Sequence, residues 1–120
     1  MRPIDLQKRT KLFAIRIIKL VQYLEKLGTV GGVIAKQIVR AGTSVAANYR
    51  AVCRSKSLKD FINKLGIVME EADETQFWLE LIIEAGLIKT FLITDLLKEA
   101  QEITAIMTAS KYSAIKNQRK

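Results

Sequence analysis

The sequence predicts an all-α fold, an antiparallel up-down four-helix bundle. Three observations carry that prediction. Apolar residues recur at alternating steps of three and four along most of the chain, and no stretch alternates as a strand would. Proline occurs once and glycine six times in 120 residues, so the chain is sparsely punctuated. The long periodic segments are separated by short breaks, which make consecutive helices antiparallel neighbours. One domain over residues 1–120 is long enough to bury a core without disulfides or metals.

The first helix is expected over residues 5–27. Leu6, Phe13, Ile17, Leu20, Leu24 and Leu27 form its seam, Thr10 fills the gap, and Ala14, Ile18 and Val21 widen it. Pro3 and Asp5 are start signals and Gly28 a stop. A loop is expected at Gly28–Gly32, then a second helix over 32–53. Its interior, Ala41 to Ala47, is rich in small residues. Gly42 there costs about 1 kcal/mol against alanine, a cost offset where a neighbouring helix must approach closely. A phosphate-binding glycine loop is the alternative, but the spacing and the preceding strand are missing. The third helix is expected over 58–85. Ser57 with Asp60 makes a capped start, and Gly86 stands where a left-handed C-terminal cap belongs. The fourth is expected over 94–113, capped by Thr94 or Thr90, with a frayed basic tail at 114–120.

Composition excludes most enzyme classes. There is no histidine, which removes the commonest general base and the commonest metal ligand. The single Cys53 excludes an internal disulfide and a multi-cysteine zinc site, and fits a reducing, cytoplasmic setting. Cys53 is expected to be a small packing residue. The acids of the third helix, Glu70, Glu71, Asp73, Glu74, Glu80 and Glu84, lack the histidines that a di-iron bundle needs. They are expected to form a solvated face or to pair with basic segments. No catalytic residue, metal or cofactor is expected. The start of the chain shows no signal-peptide pattern, and no apolar run reaches the roughly 20 residues of a membrane span.

The stretch Gln37-Ile38-Val39-Arg40-Ala41-Gly42-Thr43-Ser44-Val45-Ala46-Ala47-Asn48-Tyr49-Arg50-Ala51 is distinctive. It is followed by Ser57 to Phe61, Glu70-Glu71-Ala72-Asp73-Glu74 and Trp78-Leu79-Glu80-Leu81. These residues resemble the bacterial four-helix-bundle family of proteins encoded within intervening sequences of 23S ribosomal RNA genes. That family is similar to the accessory variability protein of diversity-generating retroelements. The resemblance implies a homopentamer and, for the retroelement branch, binding to nucleic acid and to a reverse transcriptase. It implies no catalytic residues. The chain departs from the commonest pattern after Asn48, where Tyr49-Arg50-Ala51-Val52 replaces an Ile-Ala-Glu-Gly run.

Charge is unevenly placed. Residues 1–59 hold 13 Lys/Arg and 2 acids, residues 60–104 hold 3 and 10, and residues 105–120 hold 4 and none. An up-down bundle gathers the start of helix 1, the end of helix 2, the start of helix 3 and the end of helix 4 at one end. That end is expected to bind phosphate backbones through Lys8, Arg9, Lys11, Arg50, Arg54, Lys56, Lys59, Lys111 and Lys116, opposed by Asp5 and Asp60 alone. A merely solvated basic surface that complements the helix dipoles is the alternative, and the protein is then a protein–protein assembly module. Phe77 and Trp78 fall far from this end, so base stacking is not expected. Gly42, Ser44 and Asn48 are expected in structural roles, Asn48 as a buried hydrogen-bonded residue that fixes helix register. Leu12 and Ile15 on helix 1, and Phe77, Trp78 and Leu81 on helix 3, lie outside the main seams. That surplus apolar surface predicts a homo-oligomer.

Overall fold

A computed structural model describes residues 1–119 of the chain, and the fold is an elongated up-down helical bundle, 52 × 21 × 21 Å. Four helices follow one another: α1 (Pro3–Leu24), α2 (Gly28–Val52), α3 (Leu58–Glu84) and α4 (Thr90–Gln118). A single 3-10 turn, Glu25–Leu27, joins the first two. Each helix packs closely on the next in sequence, α1 and α4 meet along a narrower seam, and among the described residues the diagonal pairs α1–α3 and α2–α4 do not approach each other.

The three-four rhythm places the core. Leu6, Phe13, Ile17 and Leu24 of α1 are buried against Ile34, Ile38 and Val45 of α2. Leu65, Val68, Leu79 and Ile82 of α3, with Ile93, Ile103 and Met107 of α4, complete it. Thr10 and Thr75 are fully buried within the stripes. Each satisfies its hydroxyl by donating to a carbonyl one turn back, Leu6 and Glu71 respectively, at 2.8 Å.

Three boundaries differ from the sequence expectation. The loop expected at Gly28–Gly32 is absent, because α2 begins at Gly28 itself. Gly28 takes the turn with φ 90°, and a β-carbon on Gly31 would lie 2.3 Å from the Leu24 carbonyl oxygen. Glycine at 31 thus permits two helix ends to touch, and does not break the second one. At the start of α4, neither Thr90 nor Thr94 caps the helix. Thr94 donates to the Thr90 carbonyl inside the helix, and the buried Ile88 fixes the entry instead. At its end, α4 continues to Gln118 and does not fray after Ser113, because buried Ala114 extends the stripe one heptad beyond Met107. Lys120 of the expected tail lies outside the described residues.

The α2–α3 and α3–α4 junctions follow the sequence. Ser57 Oγ accepts from the Asp60 amide at 3.0 Å and Asp60 Oδ2 accepts from the Lys56 amide at 3.1 Å. Gly86 closes α3 with φ 69°. Among the described residues, no helix is long and apolar enough to cross a membrane.

Candidate nucleic-acid interface

The four segments expected at one end do converge there. A cleft of about 520 Å³ is lined by Pro3 and Leu6 from α1, Tyr49 and Val52 from α2, Phe61 from α3 and Ser110 from α4. Around it, Lys8, Lys11, Arg50, Arg54, Lys56, Lys59, Lys116 and Arg119 are exposed. Among the described residues, none of these eight forms an ion pair.

Three of them share a groove. Lys11 of α1, Arg50 of α2 and Arg54 of the α2–α3 turn face each other across about 400 Å³, over a floor that includes Ala46 and Ala47. Arg50 stands in the last turn of α2 and Arg54 follows beyond the helix, where its amide donates to the Ala51 carbonyl at 3.0 Å. The small alanine side chains leave the space between the cations open, and the fields of the three cations add there.

The other candidates are engaged. Arg9 points across the α1–α4 seam. Its Nε donates to Glu99 at 2.8 Å and its Nη2 to Glu102 at 2.6 Å. Glu99 is held below the usual carboxylate range, first by the Arg9 hydrogen bond, and the Arg9 guanidinium is raised in turn. The expectation that only Asp5 and Asp60 oppose the basic end therefore needs correction. Antiparallel packing brings two α4 acids opposite Arg9, a pairing 90 residues apart in sequence that linear charge counting misses. Arg2 pairs with Asp5, and Lys64 with Asp60 at 2.9 Å; the Asp60 carboxyl is lowered chiefly by that Lys64 bond. Lys111 is half-buried, with its ammonium lying over Gly66 of α3.

Asn48 does not tie helices together. It is half-buried and donates to the Ser44 carbonyl of its own helix at 2.8 Å. Gly42 is buried directly against Ile17 of α1. Cys53 is exposed at the end of α2. Burial pushes the Tyr49 phenol up, assisted by Cys53, so it stays neutral.

Sequence reasoning missed the aromatic character of this end. Phe77 and Trp78 are indeed remote, but Phe61 and Tyr49 line the end cleft and Tyr112 is 68% exposed on the last turns of α4. Phe61 keeps the three-four rhythm of Leu65 and Val68, so periodicity assigns it to the inward seam of α3. The signal available was its place at the first turn, where the seam runs out of the bundle.

The acids of α3 divide. Glu71 and Glu74 pair with Arg40 of α2, Glu71 at 3.1 Å. Glu70, Asp73, Glu80 and Glu84 face outward around Phe77.

Comparison with known proteins gives three findings. A solved structure from Bacteroides thetaiotaomicron, described as a protein with unknown function from the S23 ribosomal protein family, has a TM-score of 0.82 and 35% identity. The match covers 88% of this chain and 96% of that one. No curated protein matches. The description of the 23S rRNA-intervening sequence protein family fits residues 2–109, nearly the full described length. The chain belongs to the 23S rRNA-intervening sequence protein family.

Proposed function

We propose that this protein is a non-enzymatic, oligomeric helical-bundle protein that binds RNA or DNA, or a nucleoprotein, through its basic end. The observation that carries the reading is the set of eight exposed cations that have no carboxylate partner among the described residues, drawn from all four helical segments. Such a surface attracts phosphates without sequence preference, and each phosphate contact releases counterions. The absence of histidine and the lone cysteine support a binding role over catalysis. A reverse transcriptase complex is the nucleoprotein that the retroelement resemblance favours. Gel shift or fluorescence anisotropy with RNA and duplex DNA at about 50 and 200 mM salt tests the reading. Affinity falls by orders of magnitude across that range if six or more phosphates are contacted. No binding at low salt sinks it.

The second reading, an assembly module, is favoured by a different observation. The outward face of α1 carries Lys8, Leu12, Ile15 and Lys19, with Leu12 59% and Ile15 42% exposed. The outward face of α3 carries Glu70, Asp73, Phe77, Glu80 and Glu84, with Phe77 52% exposed. One face is basic and apolar, the other acidic and apolar, and they lie on different helices of the bundle. A contact between such unlike faces is head-to-tail and forms a ring where its rotation closes; the family resemblance favours closure at five subunits. The two readings are compatible, since this contact leaves the Arg50–Lys59 segment free.

A further inference from the structure

The end cleft differs from the cationic groove beside it. Its walls are mainly apolar, built by Leu6, Val52, Phe61 and the inner edge of Tyr49. Its volume, about 520 Å³, falls in the range of small-molecule sites, roughly 300–1,000 Å³. It is open to solvent, and its rim is polar. Ser55, Ser57 and Ser110 place hydroxyls there, and the exposed Lys56 side chain stands among them.

Those hydroxyls retain hydrogen-bonding capacity. Ser55 donates to the Val52 carbonyl and so keeps its acceptor positions. Ser57 accepts from the Asp60 amide and keeps its donor. An apolar slot with an aromatic wall, a few hydroxyls able to donate and accept, and a cation at the mouth matches a flat heteroaromatic ring attached to a phosphate. The surrounding cations decide which such molecule arrives. Arg54 of the groove and Lys56 of the rim are two residues apart on the same α2–α3 junction. A backbone held by Lys11, Arg50 and Arg54 therefore passes the mouth of the cleft.

We propose that the end cleft receives one unpaired nucleobase, packed on Phe61, while its phosphate lies against Lys56 and the adjoining backbone lies in the Lys11–Arg50–Arg54 groove. The proposal rests on the nucleic-acid reading above and narrows it to strands with unpaired bases. A base locked in a duplex cannot enter without the cost of unstacking, so single strands bind better than duplexes of the same sequence.

The test uses the full chain and a single-stranded RNA carrying 2-aminopurine, alone and annealed to its complement. Binding is followed by anisotropy of an end label and stacking by 2-aminopurine emission. The wild-type protein quenches the emission and binds the single strand more tightly. Phe61→Leu keeps an apolar wall but removes the aromatic face. It loses the quench and weakens single-strand binding by about 5- to 100-fold, the equivalent of one stacked base, while duplex binding holds. Ser110→Leu, which narrows the cleft from α4 without touching Phe61, gives the same loss. If wild type binds with unchanged 2-aminopurine emission at every labelled position, or if both variants match wild type on the single strand, the base cleft is refuted and the phosphate reading stands. If wild type binds neither strand nor duplex at low salt, both are refuted.

Discussion

Gly42 of α2 and Ile17 of α1 touch so closely that a β-carbon on Gly42 would lie 2.8 Å from Ile17 Cγ1 and 3.1 Å from its β-carbon. Ile17 is itself fully buried and branched at that carbon, so it cannot swing aside. Gly42→Ala is therefore expected to lower stability by about 1–3 kcal/mol through overpacking. Gly32 supplies the opposite case in the same helix, with nothing within 4 Å of its added β-carbon. Gly32→Ala is expected to raise stability by about 0.4–1 kcal/mol. Urea midpoints of the two variants that move in the same direction would contradict this packing.

The Arg9–Glu99 pair predicts an acid-sensitive seam. Glu99 titrates lower in the folded chain than in the unfolded one. Its contribution is therefore complete above the ordinary glutamate value, about 4.3, and is lost as pH falls through the folded value. The two side chains are 24% and 18% exposed. That places the pair between surface and buried cases, so Arg9→Ala is expected to cost about 1–2 kcal/mol at pH 7. The cost starts to shrink as pH falls below the ordinary glutamate value, where Glu99 of the unfolded chain is protonated first, and is gone once pH has passed the lowered folded value. Chemical denaturation at pH 7 and at pH 3.5 measures it. An equal cost at both values would remove the pair from the account.

Charge reversal in the groove separates its cations from the engaged ones. Arg50→Glu with Arg54→Glu is expected to weaken RNA binding by at least tenfold and to flatten its salt dependence. Arg2→Glu, which removes a cation already paired with Asp5, is expected to change binding by less than threefold. Anisotropy titrations at several salt concentrations read both. Equal losses would mean that bulk charge, not the groove, governs binding.

Self-association is expected to depend on the α1 and α3 outer faces. Leu12→Glu with Ile15→Glu adds acids to the face proposed to meet the acidic α3 stripe, and should yield monomers of 13.5 kDa by light scattering. Lys8→Glu with Lys19→Glu should do the same, and Glu70→Lys with Glu80→Lys on the same chain should restore the larger species. A wild-type mass of 13.5 kDa at micromolar concentration would end the assembly reading.

Asn48→Ala is expected to change stability by less than about 0.5 kcal/mol, because its hydrogen bond stays within α2 and the site is half-buried. Thermal unfolding decides between this and a register-fixing role, which would cost several times more.

The fold was legible because burial follows a rhythm that the residues themselves display. Phe13, Ile17 and Leu24, or Leu65, Leu79 and Ile82, announce one face wherever they stand. Ends were less legible. Glycine at 31 and threonine at 94 have two uses each, and the neighbour decides which one operates. Leu24 approaching Gly31 made a helix start out of an expected loop. Cations showed the same division. Sequence located Arg9 and Arg54 at the same end, but only packing across the seam distinguishes an arginine facing Glu99 from one facing solvent. Phe61 illustrates the remaining gap, since periodicity identifies an inward face but not the point where the interior opens.

The turns joining the helices also bear on how the chain reaches this state. Each close helix pairing links consecutive segments through at most five residues: Glu25–Leu27, Cys53–Ser57 and Ala85–Lys89. Closing such short loops costs little entropy, and local pairings of this kind form quickly. On a ribosome, α1, α2 and α3 can therefore zip together in order of synthesis while α4 is still being made. The last helix then docks on α3 and, through Glu99 and Glu102, captures Arg9 of the first. Arg9 thus gains its carboxylate partners only once α4 has docked.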